Sequence, residues 1–405
     1  MIRPNRSHYR WYILTLTMLT FAVIVGAQRM CMPVLFKEIS IDLNLSLVSI
    51  GTIWGMDPLA GVLVGLPGGL LIDRFGVKRT LVVLCLAAGL FSALRGLSVN
   101  FSSMATTMFF FGLIAAVLPG ISPKVTAVWF GGRHLGLANA LVYIAWSVGA
   151  MVGSMFSATV FSPWLGGWRN VMFLYSIPAI ILGLLWLTAG REPGKSELAT
   201  TGIKAVPFQQ ALSRVLRIKE VWILGLVQAA YWGSYTGLSG YLALYLRDIG
   251  WTPVSADSML TALNGVNCVG TIPMVLLSNR LRSRKIVLIL SLAVMVASLA
   301  LLPLTRGPAI WPLLLIAGLL RSGTGPLINT MIFEIKGINS TYGGTAAGLA
   351  NAIGMLGAFI SPPSGNSFSA INPGLPFIFW AFLAALALPL LFLFKEHRLT
   401  RYEEG

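Results

Sequence analysis

Twelve stretches of this chain, each long enough to cross a bilayer and nearly free of charge, constrain it more than any other feature. They run over 11–36, 49–72, 80–98, 104–128, 135–161, 171–189, 221–246, 255–278, 286–304, 310–333, 343–364 and 377–394. About 20 apolar residues span the hydrocarbon. Backbone groups there have no water to bond, so each stretch must close its own hydrogen bonds as a helix. The fold class that follows is all-α: a polytopic membrane protein with twelve transmembrane helices. Composition agrees, with 56% hydrophobic and only 10% charged residues, against about 25% charged in soluble domains. The first stretch exceeds a signal-peptide core of about 7–15 residues and lacks a small-residue cleavage site, so it reads as a retained helix.

The net charge of +16 could suggest nucleic acid, but the basic residues cluster at the ends of apolar stretches, where they report topology. With the N-terminal side inside, 21 lysines and arginines fall inside and four (Lys37, Arg169, Arg247, Arg306) outside. That split places both termini in the cytoplasm and requires an even number of helices. The polar linker from Gly190 to Glu220 holds Pro193, Pro207, six basic residues and an amphipathic piece from Phe208 to Lys219. It divides the chain into a six-helix half at 1–189, a cytoplasmic linker at 190–220 and a second half at 221–405.

The halves repeat. Gly136-Leu137-Ala138-Asn139-Ala140 returns as Gly348-Leu349-Ala350-Asn351-Ala352, with Lys124 and Lys336 in the same register. Arg74, Lys78 and Arg79 return at an offset of 206 as Arg280, Arg284 and Lys285. Such parallel repeats give two pseudo-symmetric six-helix bundles related about the membrane normal. The third helix of each triplet is the blandest, so the others are expected to gather around a polar path.

A charge at the bilayer centre costs about 2.5–3.5 kcal/mol and marks function or pairing. Arg29 lies about 10 Å deep in the first helix and Asp57 about 12 Å deep in the second. They are placed to pair, either as a structural ion pair or as one that a substrate anion or a proton on Asp57 competes for. Arg321, mid-way along the tenth helix beside Gly323, Gly325 and Pro326, reads as an anion ligand or as a cap for carbonyls freed by the bend. Arg29 and Arg321 would put one cation in each half facing one path, and a guanidinium fork suits a carboxylate. Tyr235, with Tyr231 on the same face, and Asn264 and Asn267, three apart on the eighth helix, are candidate substrate hydrogen-bond donors or interhelical links. Lys124 and Arg95 are expected to snorkel. Asp257 opens the eighth helix, where the dipole favours an acid. Cys31, Cys85 and Cys268 show no metal-ligand spacing, and His8, His134 and His397 lie at membrane edges. No metal, cofactor, nucleotide loop or catalytic cluster is expected, so no enzyme.

Gly69-Leu70-Leu71-Ile72-Asp73-Arg74-Phe75-Gly76-Val77-Lys78-Arg79 resembles the loop 2–3 motif of the major facilitator superfamily. The resemblance covers essentially the whole chain and implies alternating access by rocking of two halves. It also implies a cytoplasmic lock made by Gly69, Asp73, Arg74 and Gly76. In the second copy, Asn279 and Arg282 replace the Asp and Gly. Helix 5 carries only half of the drug-antiporter signature, Gly149 and Gly153, with Ser154 where that signature has Pro. The stretch from Gln28-Arg29 to Leu45-Ser46 resembles the first helix of organic-anion symporters, with Gln28 where those often carry Asp. The expectation is a secondary transporter of a small anion, most simply an organic carboxylate, in the inner membrane. It would be driven by protons through Asp57 or by a counter-anion, and would act as a monomer in the bilayer. A drug or metabolite exporter, or a nitrate- or cyanate-like transporter, is the alternative.

Overall fold

A computed structural model describes residues 6–64, 75–130, 133–190, 208–281, 283–338 and 340–394. Among these residues eleven helices are long and apolar enough to cross a bilayer. They are α1 (Tyr9–Asp42), α2 (Leu47–Val64), α3 (Val77–Gly96), α4 (Phe101–Trp129), α5 (His134–Leu165), α6 (Trp168–Thr188), α8 (Pro253–Leu281), α9 (Arg284–Leu304), α10 (Gly307–Phe333), α11 (Tyr342–Ala370) and α12 (Leu375–Leu393). The twelfth, α7 (Lys219–Asp248), is the longest unbroken one at 30 residues, but Gln228 and a series of Ser, Gly and Tyr residues dilute its apolarity. A short helix, Phe208–Val215, precedes it in the linker.

The first helix runs past its expected end at 36. Lys37, Glu38 and Asp42 do not stop it, because each finds a lateral partner: Asp248 at 3.2 Å, Ser162, and Arg169 at 2.8 Å, respectively. Inside α1 the residues Phe21–Ala27 form a π turn between two α-helical stretches, Arg6–Thr20 and Gln28–Asp42. Between α2 and α3, Gly76 takes φ 82°, a left-handed conformation that glycine adopts without a Cβ penalty. The rest of the expected lock, Gly69, Asp73 and Arg74, lies outside the described residues.

Contacts group the chain into two compact units, Met1–Gly202 with Ser239–Gly265, and Ile203–Leu238 with Val266–Gly405. In the first unit α3 packs along α6, α2 along α4, and the π turn of α1 against α5. Small residues set these distances. A Cβ on Gly149 or Gly26 would overlap the backbone of the facing helix, and a Cβ on Gly112 would lie 2.7 Å from the Asp57 Cα. In the second unit α9 packs on α12 and α10, while a Cβ on Gly357 would overlap the Ala229 backbone. Both units use the same joints. Ala22 faces Gly149 as Ala229 faces Gly357. The Gln28 side chain donates to the Tyr175 carbonyl at 2.6 Å, as the Ser234 hydroxyl donates to the Trp380 carbonyl at 2.8 Å.

Candidate functional site

In the first unit the sequence interrupts helix hydrogen bonding where the charges lie. Pro33 and Pro58 have no backbone N–H, so the carbonyls of Arg29 and Trp54, four residues earlier, lose their helical donors. The structure brings Arg29 and Asp57 together, with Nε 2.5 Å from Oδ2. The contact is an ion pair without hydrogen-bond alignment, since neither atom has a hydrogen-bond partner. The Arg29 side chain is 30% exposed and that of Asp57 only 5%. The carboxylate is thus nearly sealed from solvent, while the Arg29 side chain stays partly exposed. Every other residue from 24 to 36 is buried.

Arg95 does not snorkel as expected. It is fully buried, with its guanidinium 4.2 Å from the centre of the Phe111 ring. Its Nη1 donates to the Gln28 carbonyl at 3.2 Å and approaches the Met108 sulfur at 3.7 Å. Asp57 lies within its electrostatic reach. The snorkelling expectation counted residues to the helix end, but this side chain points inward between α1 and α4. No periodicity or motif signals it. The one available signal was an arginine on a helix otherwise apolar enough to face lipid.

In the second unit α10 is broken: Ile310–Arg321, then Ser322 and Gly323, then Thr324–Phe333. Pro326 leaves the Ser322 carbonyl without its helical donor, and Thr271 of α8 donates to it at 3.4 Å. Arg321 sits at this break with its guanidinium 3.4 Å from the Tyr235 ring centre. Its Nη1 donates to the Tyr231 hydroxyl at 3.2 Å, and that hydroxyl donates to the Arg321 carbonyl at 3.0 Å. One tyrosine therefore holds the broken backbone and the cation, while the other supplies a π face. The carbonyls of Ser322 and Arg321 at the bend thus take donors from Thr271 and Tyr231.

Asn264 and Asn267 are both buried, with the Asn264 amide nitrogen lacking a partner. They fall in different units, Asn264 in the first and Asn267 in the second. Asp257 serves more than the helix dipole: it is wholly buried and paired with Arg247 at 2.5 Å, and Arg247 also donates to the Val34 carbonyl at 3.0 Å. Among the described residues no cluster of three or more His, Cys, Asp or Glu could hold a metal.

The chain as a whole is similar to known proteins. The "Probable galactarate/D-glucarate transporter GudP" of Bacillus subtilis (strain 168) is 29% identical over 47% of this chain and 43% of its own length. The "3-(3-hydroxy-phenyl)propionate transporter" of Escherichia coli (strain K12) is 26% identical over 78% of this chain and 77% of its own. The chain thus spans under half the length of the first of these relatives. The same fold occurs in a bacterial homologue of the human lysosomal transporter Spinster, solved inward-facing and unoccupied. Its TM-score is 0.77 with 97% of both chains covered at 17% identity. The family model "Major Facilitator Superfamily" matches residues 17–362. With twelve helices in repeated sixes and that match across most of its length, the chain belongs to the major facilitator superfamily.

Proposed function

We propose that this protein is a secondary active transporter that carries a small organic anion across the cell's inner membrane by alternating access, coupled to protons. The observation that carries the reading is Arg29, a partly exposed side chain on a stretch of helix otherwise buried, whose counter-charge Asp57 is nearly sealed from solvent. A buried ion pair strands its second member when the first is taken, at a cost of about 3–5 kcal/mol. An anion that draws Arg29 away is therefore helped by a proton on Asp57, which removes the stranded charge. Arg321, stacked on Tyr235, is the second unit's anion ligand. Tyr235, Asn264 and Asn267 contribute hydrogen bonds to substrate, and Gly69, Asp73, Arg74 and Gly76 form the lock. The carboxylate substrates in the names of both relatives support an organic acid. The distribution of Lys and Arg supports cytoplasmic termini, and the protein works as a monomer.

The test is uptake into proteoliposomes of galactarate, D-glucarate, 3-(3-hydroxyphenyl)propionate and nitrate, with and without an imposed inward proton gradient. Saturable uptake of a carboxylate, accelerated by the gradient, is expected. Saturable uptake of nitrate alone would replace the organic anion with an inorganic one. Carboxylate uptake indifferent to the gradient, or an Asp57→Asn variant with unchanged response to it, would remove the proton.

A further inference from the structure

Comparison of the repeats locates an extra residue in α1. The facing pairs Ala22–Gly149 and Ala229–Gly357 set an offset of 207 along α1 and α7. Beyond the π turn, Ala27 faces Gly153 as Gly233 faces Ser361, an offset of 206. Gln28 and Ser234, the donors to the α6 and α12 carbonyls, keep the offset of 206. Between these joints α1 spends five residues where α7 spends four, while α5 and α11 both spend four. The surplus residue is taken up by the π turn, closed by a bond from the Gln28 N–H to the Val23 carbonyl. One residue turns a helix by about 100°. With it, Arg29 is the counterpart of Tyr235; without it, Gln28 would be.

Wide turns of this kind are rare and frequently mark functional sites; a second one, Ser157–Phe161, lies in α5. The turn in α1 is held from several sides. Trp186 donates to the Thr20 hydroxyl at 3.0 Å before it, and Trp146 to the Val25 carbonyl at 3.2 Å within it. At its exit Gln28 is bound twice, through its side chain to Tyr175 and through its carbonyl to Arg95. Arg95 is the costly member of the set. It is wholly buried, and its Nε and Nη2 have no hydrogen-bond partner.

We infer that the π turn is a register device that aims Arg29 out of an otherwise buried helix, and that Arg95 is the positioning residue that holds this register through the Gln28 carbonyl. The consequence for transport rests on the proposed role of Arg29 as an anion ligand; the register itself does not.

Thiol accessibility separates the two. In a Cys268→Ser background, where the remaining Cys31 and Cys85 are buried, Gln28→Cys, Arg29→Cys and Met30→Cys are each treated with a neutral maleimide in proteoliposomes. Arg29→Cys reacts about tenfold faster than either neighbour; adding Arg95→Met slows it about tenfold, and Arg95→Lys restores it. Trp146→Phe, which removes another support of the turn, slows it too and serves if Arg95→Met does not assemble. Equal rates at 28 and 29, or a rate at 29 indifferent to both supports, would overturn the register. With Arg29 intact and galactarate as the probe, Arg95→Met raises KM about tenfold with kcat nearly unchanged, and Arg95→Lys recovers most of it. A thiol pattern as expected, with no shift in KM, overturns only the link from Arg95 to the anion.

Discussion

At the scale of single residues, each unit holds an arginine paired within the membrane-spanning helices. Arg29 holds Asp57, and Arg321 holds Tyr231 and Tyr235. The Tyr231 hydroxyl is the most economical group in the second unit, because it bonds both the guanidinium and the carbonyl of one residue. Tyr231→Phe removes both bonds and leaves the ring, a loss of about 1 kcal/mol for a neutral bond and up to about 3 kcal/mol for one to a charge. The expected outcome is a KM raised several-fold in uptake kinetics, with Tyr235→Phe, which keeps the stacked ring and loses only its proposed hydrogen bond to substrate, raising it less. Depth along the apolar stretches made Arg29, Asp57 and Arg321 legible, since a charge far from a helix end must face protein or water. Arg95 was not legible. Counting residues to a helix end tells how far a side chain must reach to escape, and not which way it points. Only the cleft between α1 and α4 decides that.

At the scale of elements, the twelve helices could be read because hydrocarbon forces each stretch to be self-bonded, and their ends were misjudged where lateral pairs replace water. The π turn was invisible, because a one-residue surplus changes no composition; it emerges only when the facing pairs of the two copies are compared. The same facing contacts assign the glycines. Gly149 and Gly153, which read as half of an antiporter signature, let α5 touch the backbone of α1. Gly136, part of the repeated five-residue motif, faces open space. Gly149→Val should therefore separate α5 from the π turn and destabilise by about 1–3 kcal/mol. Gly136→Ala should be neutral or slightly stabilising, by up to about 1 kcal/mol. Thermal unfolding in detergent, followed for both variants against the parent, checks the contrast. A parent-like Gly149→Val would remove the close approach as a requirement.

At the scale of the molecule, the repeat supplies matched joints and the charges break the match. α7 and α8 each divide between the two units, with 239–265 held in the first. Within that unit the segment is fastened by Arg247, which bridges Asp257 and the Val34 carbonyl, and by the Thr261–Ser154 hydroxyl contact at 2.9 Å. The sequence signalled Asp257 as a helix-start acid and Arg247 as a topological charge. Their pairing needed the α7–α8 turn to fold back, which no motif records. The proposed alternating access requires such fastenings to loosen. Asp257→Asn leaves Arg247 buried with a weaker partner and should release the segment, at a cost of about 3–5 kcal/mol if the charge is wholly stranded. Replacing both, as Arg247→Met with Asp257→Leu, removes the stranded charge and should recover most of that loss. The readout is maleimide labelling of Ser258→Cys in proteoliposomes, in the Cys268→Ser background. Labelling should rise more than tenfold in Asp257→Asn, since about 1.4 kcal/mol is tenfold in a two-state equilibrium, and should fall back towards the parent in the double variant. If both variants label alike, Arg247 and Asp257 act independently and the fastening is carried by the hydroxyl contact and the helix packing instead.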